Sequence, residues 1–164
     1  MNLRLRSAVI ALAVVILDRL SKLYINRAYA PWDVTVVIPR VFNIVHAENP
    51  GAAFSMLAGA PPLVRSVLLV GVSAMVMTGV GIMLLRLPKD AHWLMPTSLA
   101  LVFGGAFGNL WDRVGRGSVT DFVQVFIGSY EFPSFNVADS AITCGAALLI
   151  WDSLRRSRAK PETQ

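Results

Sequence analysis

The sequence predicts a mainly α-helical membrane protein: four transmembrane helices with a small extramembrane β-sheet and a short interfacial helix, forming one domain over residues 1–164. Three observations carry this. The chain is 55% hydrophobic and only 15% charged, with a mean hydropathy of +0.58, whereas soluble domains run at about 45–50% apolar and about 25% charged. Ser66–Leu85 is an uncharged apolar run of the ~20-residue length that crosses a bilayer. Finally, the net charge of +5 is gathered at the ends, in Arg4 and Arg6 and in Arg155, Arg156, Arg158 and Lys160. Membrane topology signals are distributed that way, and nucleic-acid-binding faces are not. A nucleic-acid partner is therefore not expected.

The first span is predicted over about 7–27. MNLRLR followed by SAVIALAVVIL resembles a secretory leader, and Ala28-Tyr29-Ala30 offers a cleavage-like site. However, Asp18, Arg19 and Lys22 interrupt the apolar run, and the small-residue triplet lies too far beyond it. Asp18 and Lys22 are four residues apart in the favourable acid-first order on one helix face. They read as a mutually neutralising structural pair, with a part in shaping a site as the alternative.

Residues 28–62 form the first extramembrane connection. TVVIP and VFNIVHAEN are β-branched runs separated by Pro39, which predicts strands. The Asn49-Pro50-Gly51 triplet is a turn signal, and AAFSML predicts an interfacial helix with Phe54, Met56 and Leu57 as its apolar contacts. His46 and Glu48 alternate on the expected exposed face and read as solvated side chains rather than metal ligands. The second span follows at about 63–85, with Arg65 able to snorkel at its start. The third is predicted at about 92–112, where Gly104 and Gly108 form a G-x-x-x-G that lets another helix approach closely. Residues 113–134 form the second connection, with Gly115, Gly117 and Gly128 suited to turns and DFVQVF to a strand. The last span covers about 136–154, and the basic tail 155–164 stops it. Cys144, the only cysteine, sits in an apolar run and reads as a small hydrophobe.

The Lys/Arg bias puts both termini and the 86–91 connection, with Arg86 and Lys89, on the cytoplasmic side. Helix three then ends, and helix four begins, at the outer face. Asp112, Asp121 and Asp139 fall at one depth there, together with the loop carrying Asn49. Ionisable groups at membrane depth are costly and mark function. The two histidines, His46 and His92, fall on opposite sides of the membrane, so a site built from both is excluded. What remains is a surplus of carboxylates. Two close carboxylates share a proton near neutral pH, which suits acid–base attack of water on an amide. Asn109, Asp112 and Arg113 share a helix face by spacing, and Asp112 with Arg113 reads as a local ion pair. The physics alone leaves two readings open, an aspartate hydrolase and a small ion- or proton-coupled transporter.

DRLSK at 18–22, NPGAAFS at 49–55, GGAFGNLWDR at 104–113, VTDF at 119–122 and FNVAD at 135–139 together resemble the bacterial lipoprotein signal peptidases (signal peptidase II), which are intramembrane aspartyl proteases. The five elements are distributed in order over nearly the whole chain. The resemblance implies a four-helix bundle with an extracytoplasmic β-cradle, and Asp121 and Asp139 as the catalytic pair. Asn49, Gly51, Asn109, Arg113 and Asn136 would surround the site, Asp112 would be a supporting acid, and Asp18 and Lys22 occupy family positions without a defined role. Arg19 stands where a glutamine is frequent. The implied substrate is a diacylglyceryl-modified prolipoprotein, cut before its lipidated cysteine. The enzyme would be a monomer in the inner membrane, in contact with membrane lipids and with no metal or cofactor.

Overall fold

The computed structural model describes residues 2–51, 59, 61–88 and 91–159. Among the described residues there are four helices: α1 (Leu3–Ala28), α2 (Pro62–Leu85), α3 (Leu94–Arg116) and α4 (Val137–Ala159). Strands β1 (Val34–Ile38) and β2 (Phe42–Asn49) separate α1 from α2, and β3 (Val119–Ile127) and β4 (Tyr130–Phe135) separate α3 from α4. The interfacial helix expected around Phe54, Met56 and Leu57 lies outside the described residues, as do Lys89 and Lys160.

Helix α3 is the centre of the bundle and packs against α1, α2 and α4. Its glycines make this possible. A Cβ on Gly104 would lie 2.7 Å from Ala11 O of α1, one on Gly108 2.5 Å from Asp18 Oδ2, and one on Gly105 2.4 Å from Ala138 O of α4. The expected G-x-x-x-G therefore faces α1, and the intervening Gly105 serves α4.

Helices α2, α3 and α4 are long and apolar enough to cross a membrane. No residue of α2 is buried, which suits a predominantly apolar helix at the edge of a membrane bundle, packed on α3 along one side. Helix α1 has 26 residues, about 39 Å at 1.5 Å per residue, but its charges dilute its apolarity. Side-chain contacts gather four helix ends at one end of the bundle. Arg4 donates to Leu85 O (2.9 Å), Ser7 Oγ to Pro96 O (3.3 Å), and Arg156 to Met95 Sδ (3.8 Å). The sheet lies at the opposite end.

That sheet is antiparallel in the order β1-β2-β3-β4. Strand β4 was not expected, and Pro133 explains the weak signal: proline is tolerated on an edge strand, where no ladder donor is needed. Two further departures are local. Helix α3 continues past 112 to Arg116 because the residue that ends it is Gly117, left-handed at φ 77° with its N–H on Arg113 O; Gly115 is helical. His46 is buried, not solvated: Nδ1 is 2.9 Å from Tyr29 O and Nε2 is 3.3 Å from Glu48 Oε1.

Gly105→Ala should therefore cost about 1–3 kcal/mol from overpacking and lower the unfolding temperature in detergent. Gly79→Ala, with nothing within 4 Å of the new methyl, should raise it slightly, because alanine is the better helix former by about 1 kcal/mol.

Candidate active site

Asp139 stands in the first turn of α4, and the turn explains its placement. Asn136 Oδ1 accepts the Asp139 N–H (2.9 Å), while Asp139 Oδ2 accepts the Asn136 N–H (3.3 Å). This reciprocal pair is a capping box built from Asn and Asp. It fixes the Asp139 carboxylate at a helix N-terminus, where negative charge is favoured.

The other end of the Asn136 side chain reaches the sheet. Its Nδ2 donates to Asp121 Oδ1 at 2.7 Å and lies 3.3 Å from Thr120 O. One asparagine thus joins the two carboxylates. Asp121 Oδ2 accepts from Asn49 Nδ2 of the neighbouring strand (3.0 Å), and Asn49 Oδ1 accepts the Gly51 N–H (3.0 Å). The Asn-Pro-Gly triplet is thereby an Asx-type turn, and its hydrogen bonds orient the amide. Asp121 is buried and Asp139 is half-buried. Burial first, then the negative charge of Asp139, pushes the Asp121 carboxyl up to about 7; the Asn49 and Asn136 hydrogen bonds and the Lys22 charge oppose the shift.

Asp139 Oδ1 accepts from Asn109 Nδ2 at 2.7 Å, and Asn109 Oδ1 accepts from Lys22 Nζ at 2.9 Å. Lys22 also lies 2.9 Å from Asp18 Oδ2 and 2.8 Å from Asp112 Oδ2, with all three side chains fully buried. Asp18 Oδ1 accepts the Ala138 N–H (3.0 Å). The expected Asp18–Lys22 pair is present, and it belongs to the floor of this site. The expected Asp112–Arg113 pair is corrected. Asp112 bonds Arg19, whose guanidinium lies over the Trp111 ring, and Lys22. Arg113 instead turns toward Gly51 O (3.4 Å), because residues three and four apart share a helix face whereas neighbours diverge. All ten residues singled out in the sequence lie in this one connected region. Glu48 was missed as a site neighbour. It accepts from Arg116 (2.5 Å) and Ser118 Oγ (2.5 Å) on the opposite face of β2 from Asn49, a placement that strand alternation could have indicated. Among the described residues no group of three or more His, Cys, Asp and Glu side chains converges as metal ligands.

A family model for signal peptidase (SPase) II matches residues 10–155. The chain belongs to the signal peptidase II family. It is 40% identical over 149 residues to the lipoprotein signal peptidase of Syntrophus aciditrophicus, covering 90% of this chain and 91% of that one. It is 41% identical over 151 residues to that of Geobacter sulfurreducens, covering 92% of each. A bacterial membrane enzyme solved by the in meso method at 2.3 Å resolution superposes with a TM-score of 0.84 at 34% identity, over 97% of this chain and 93% of that one. The family is one of peptidases, so the chain is a hydrolase by membership. The match contains every residue of the site just described.

The raised Asp121 carboxyl has a consequence for stability. The folded state keeps a proton that the unfolded chain, with an ordinary aspartate near 3.8, releases. Between about pH 4 and 7 the folded state therefore binds more protons, and stability should fall as pH rises through that window. In thermal unfolding, wild type should lose unfolding temperature from pH 4.5 to 7 more steeply than Asp121→Asn.

Proposed function

We propose that this protein is an aspartyl endopeptidase of the bacterial inner membrane. It removes the signal peptide of diacylglyceryl-modified prolipoproteins by cutting on the N-terminal side of the lipidated cysteine. The observation that carries this reading is the bridging of Asp121 and Asp139 through Asn136, with one carboxyl buried and the other half-buried.

In the proposed reaction Asp139 is the charged member, at the helix N-terminus, and Asp121 holds the shared proton. Asp139 accepts a proton from water as the oxygen attacks the scissile carbonyl carbon. Asp121 donates its proton to the carbonyl oxygen, giving a tetrahedral diol. The proton on Asp139 then passes to the amide nitrogen, Asp121 recovers one from the diol, and the C–N bond breaks. The pair ends as it began, with one proton between two carboxylates, and no metal or cofactor is needed. Asn49, Asn109 and Asn136 hold the carboxylates, while Arg113 and Gly51 line the approach and hold substrate backbone. Asp112, Asp18 and Lys22 support them from below.

In this reading α1 is a fourth span, held in the bilayer by neutralising its charges against α3. The end of the bundle holding Arg4, Arg6, Arg86, Arg155 and Arg156 is cytoplasmic, and the sheet and carboxylates sit at the outer leaflet. A substrate anchored by acyl chains and a signal helix presents its scissile bond at that depth. Confinement of both partners to the membrane raises their effective concentration, so a monomer suffices.

The test is cleavage of a diacylglyceryl-modified prolipoprotein in detergent or bilayer. Wild type should cut before the modified cysteine with a chelator present, and Asp121→Asn and Asp139→Asn should each lose about 10³-fold or more. Near-normal cleavage by both variants would refute the residue assignment. No cleavage by folded wild type, with proton or ion flux instead, would replace the reading with a transporter.

A further inference from the structure

We infer that Lys22 is a positioning residue for the hydrolytic pair: its ammonium fixes which end of the Asn109 amide meets Asp139. This deepens the proposed peptidase reading and rests on it.

The two ends of an asparagine amide have nearly the same shape and opposite hydrogen-bonding character, so packing alone does not choose between them. Here the choice is electrostatic. Asn109 Oδ1 faces two donors, Lys22 Nζ at 2.9 Å and Asn136 Nδ2 at 3.3 Å, while Asn109 Nδ2 faces Asp139 Oδ1 at 2.7 Å. A flipped amide would set its NH₂ against an ammonium and a second NH₂, and its oxygen against a carboxylate. An ammonium has three donors and no acceptor, so it enforces one orientation.

The surroundings of Lys22 show that it is held for this contact. Asp18 Oδ2 and Asp112 Oδ2 hold Nζ from two sides at 2.9 and 2.8 Å, and Nζ donates to Asn109 Oδ1 at 2.9 Å. Gly108 leaves space for the Asp18 carboxylate, since a Cβ there would stand 2.5 Å from Oδ2. With Arg19 on Asp112, two cations balance two anions, so the cluster has the charge neutrality that burial demands. One bond of Asn109 then transmits that fixed position to the carboxylate that activates water.

Lys22 also adds a positive charge near the pair. The charged groups facing the carboxylates are Lys22 from α1, Asp112 and Arg113 from α3, and Asp139 on α4 beside Asp121. Glu48 and Arg116 pair on the far side of the sheet. A cation favours the ionised form of a nearby carboxyl, and Lys22 acts in that direction on Asp121, so its loss raises the Asp121 carboxyl further.

The test uses the full-length enzyme and Lys22→Met, which keeps length and removes charge and donors. Because this leaves two buried carboxylates with one cation, the same change is made in an Asp18→Asn background, where the cluster stays neutral. Relative to Asp18→Asn alone, the double variant should lose about 10–100-fold in kcat, the scale of a small misplacement, with KM changed by no more than about twofold. The alkaline limb of its pH–rate profile, set by Asp121, should shift to higher pH. Adding Asn109→Leu should cost little further, because the two residues act through one contact. An infrared readout needs no turnover. The carboxylate stretch that Asp139→Asn deletes should shift in the double variant, and in the same direction as in Asn109→Leu. Folded double variant with the kcat, pH profile and carboxylate band of Asp18→Asn would overturn the inference, as would fully additive losses with Asn109→Leu. If wild type does not cleave, the peptidase reading falls, and the carboxylate band alone decides the Lys22 contact.

Discussion

The site depends on one side chain used at both ends. Asn136 caps α4 with its oxygen and binds Asp121 with its nitrogen, so the start of a helix and the start of a strand are locked together through a single amide. Two carboxylates brought this close repel when both are ionised, and burial of one makes the doubly charged state costlier still. The capping box offsets part of this by offering Asp139 a backbone N–H, and the helix N-terminus contributes further. The geometry that holds the pair together thus also divides its labour. Asp139 is placed where charge is favoured, and Asp121 where a proton is retained.

A second constraint is the cost of charge at membrane depth. Helix α1 carries Asp18, Arg19 and Lys22 in its second half, which an isolated helix in lipid would tolerate poorly. The chain answers with a four-charge cluster shared between α1 and α3, admitted by the missing side chain of Gly108. Pairing of this kind is weak evidence for net stability, because desolvation offsets most of the attraction. Its value is geometric: removing one partner leaves a buried charge, so the helices are held in one register. That register sets the Ala138 N–H on Asp18 and the Asn109 amide on Asp139.

Much of this could be read from sequence wherever the governing interaction is local or periodic. The apolar runs of α2, α3 and α4 gave three helices, the i, i+4 spacing gave the Asp18–Lys22 pair, and Asn-Pro-Gly gave a turn. The long-range contacts could not be read so directly. Asp112 lies next to Arg113 in sequence, yet bonds Arg19, 93 residues away, because helix geometry turns neighbouring side chains apart. The burial of His46 depends on the connection 29–33 running back along β2, with Tyr29, Trp32 and Asp33 bonded to His46, which no pattern within the strand reveals. Strand β4 carries a proline that weakens its signal, and only its place at the sheet edge makes that proline harmless. The grouping of Asp121 with Asp139 was suggested by common depth and by family resemblance, while the asparagine that joins them emerged only with the fold.

In the proposed reaction the two carboxylates activate water directly rather than forming a bond to the substrate. Single-turnover cleavage in ¹⁸O-labelled water tests it most directly. Direct attack predicts one ¹⁸O in the new carboxylate of the released signal peptide in the first turnover, both aspartates unlabelled, and no acyl-enzyme trapped by hydroxylamine. A hydroxylamine-trapped acyl-enzyme, or an unlabelled product in that turnover with ¹⁸O in Asp121 or Asp139, would show a covalent acyl intermediate and contradict it.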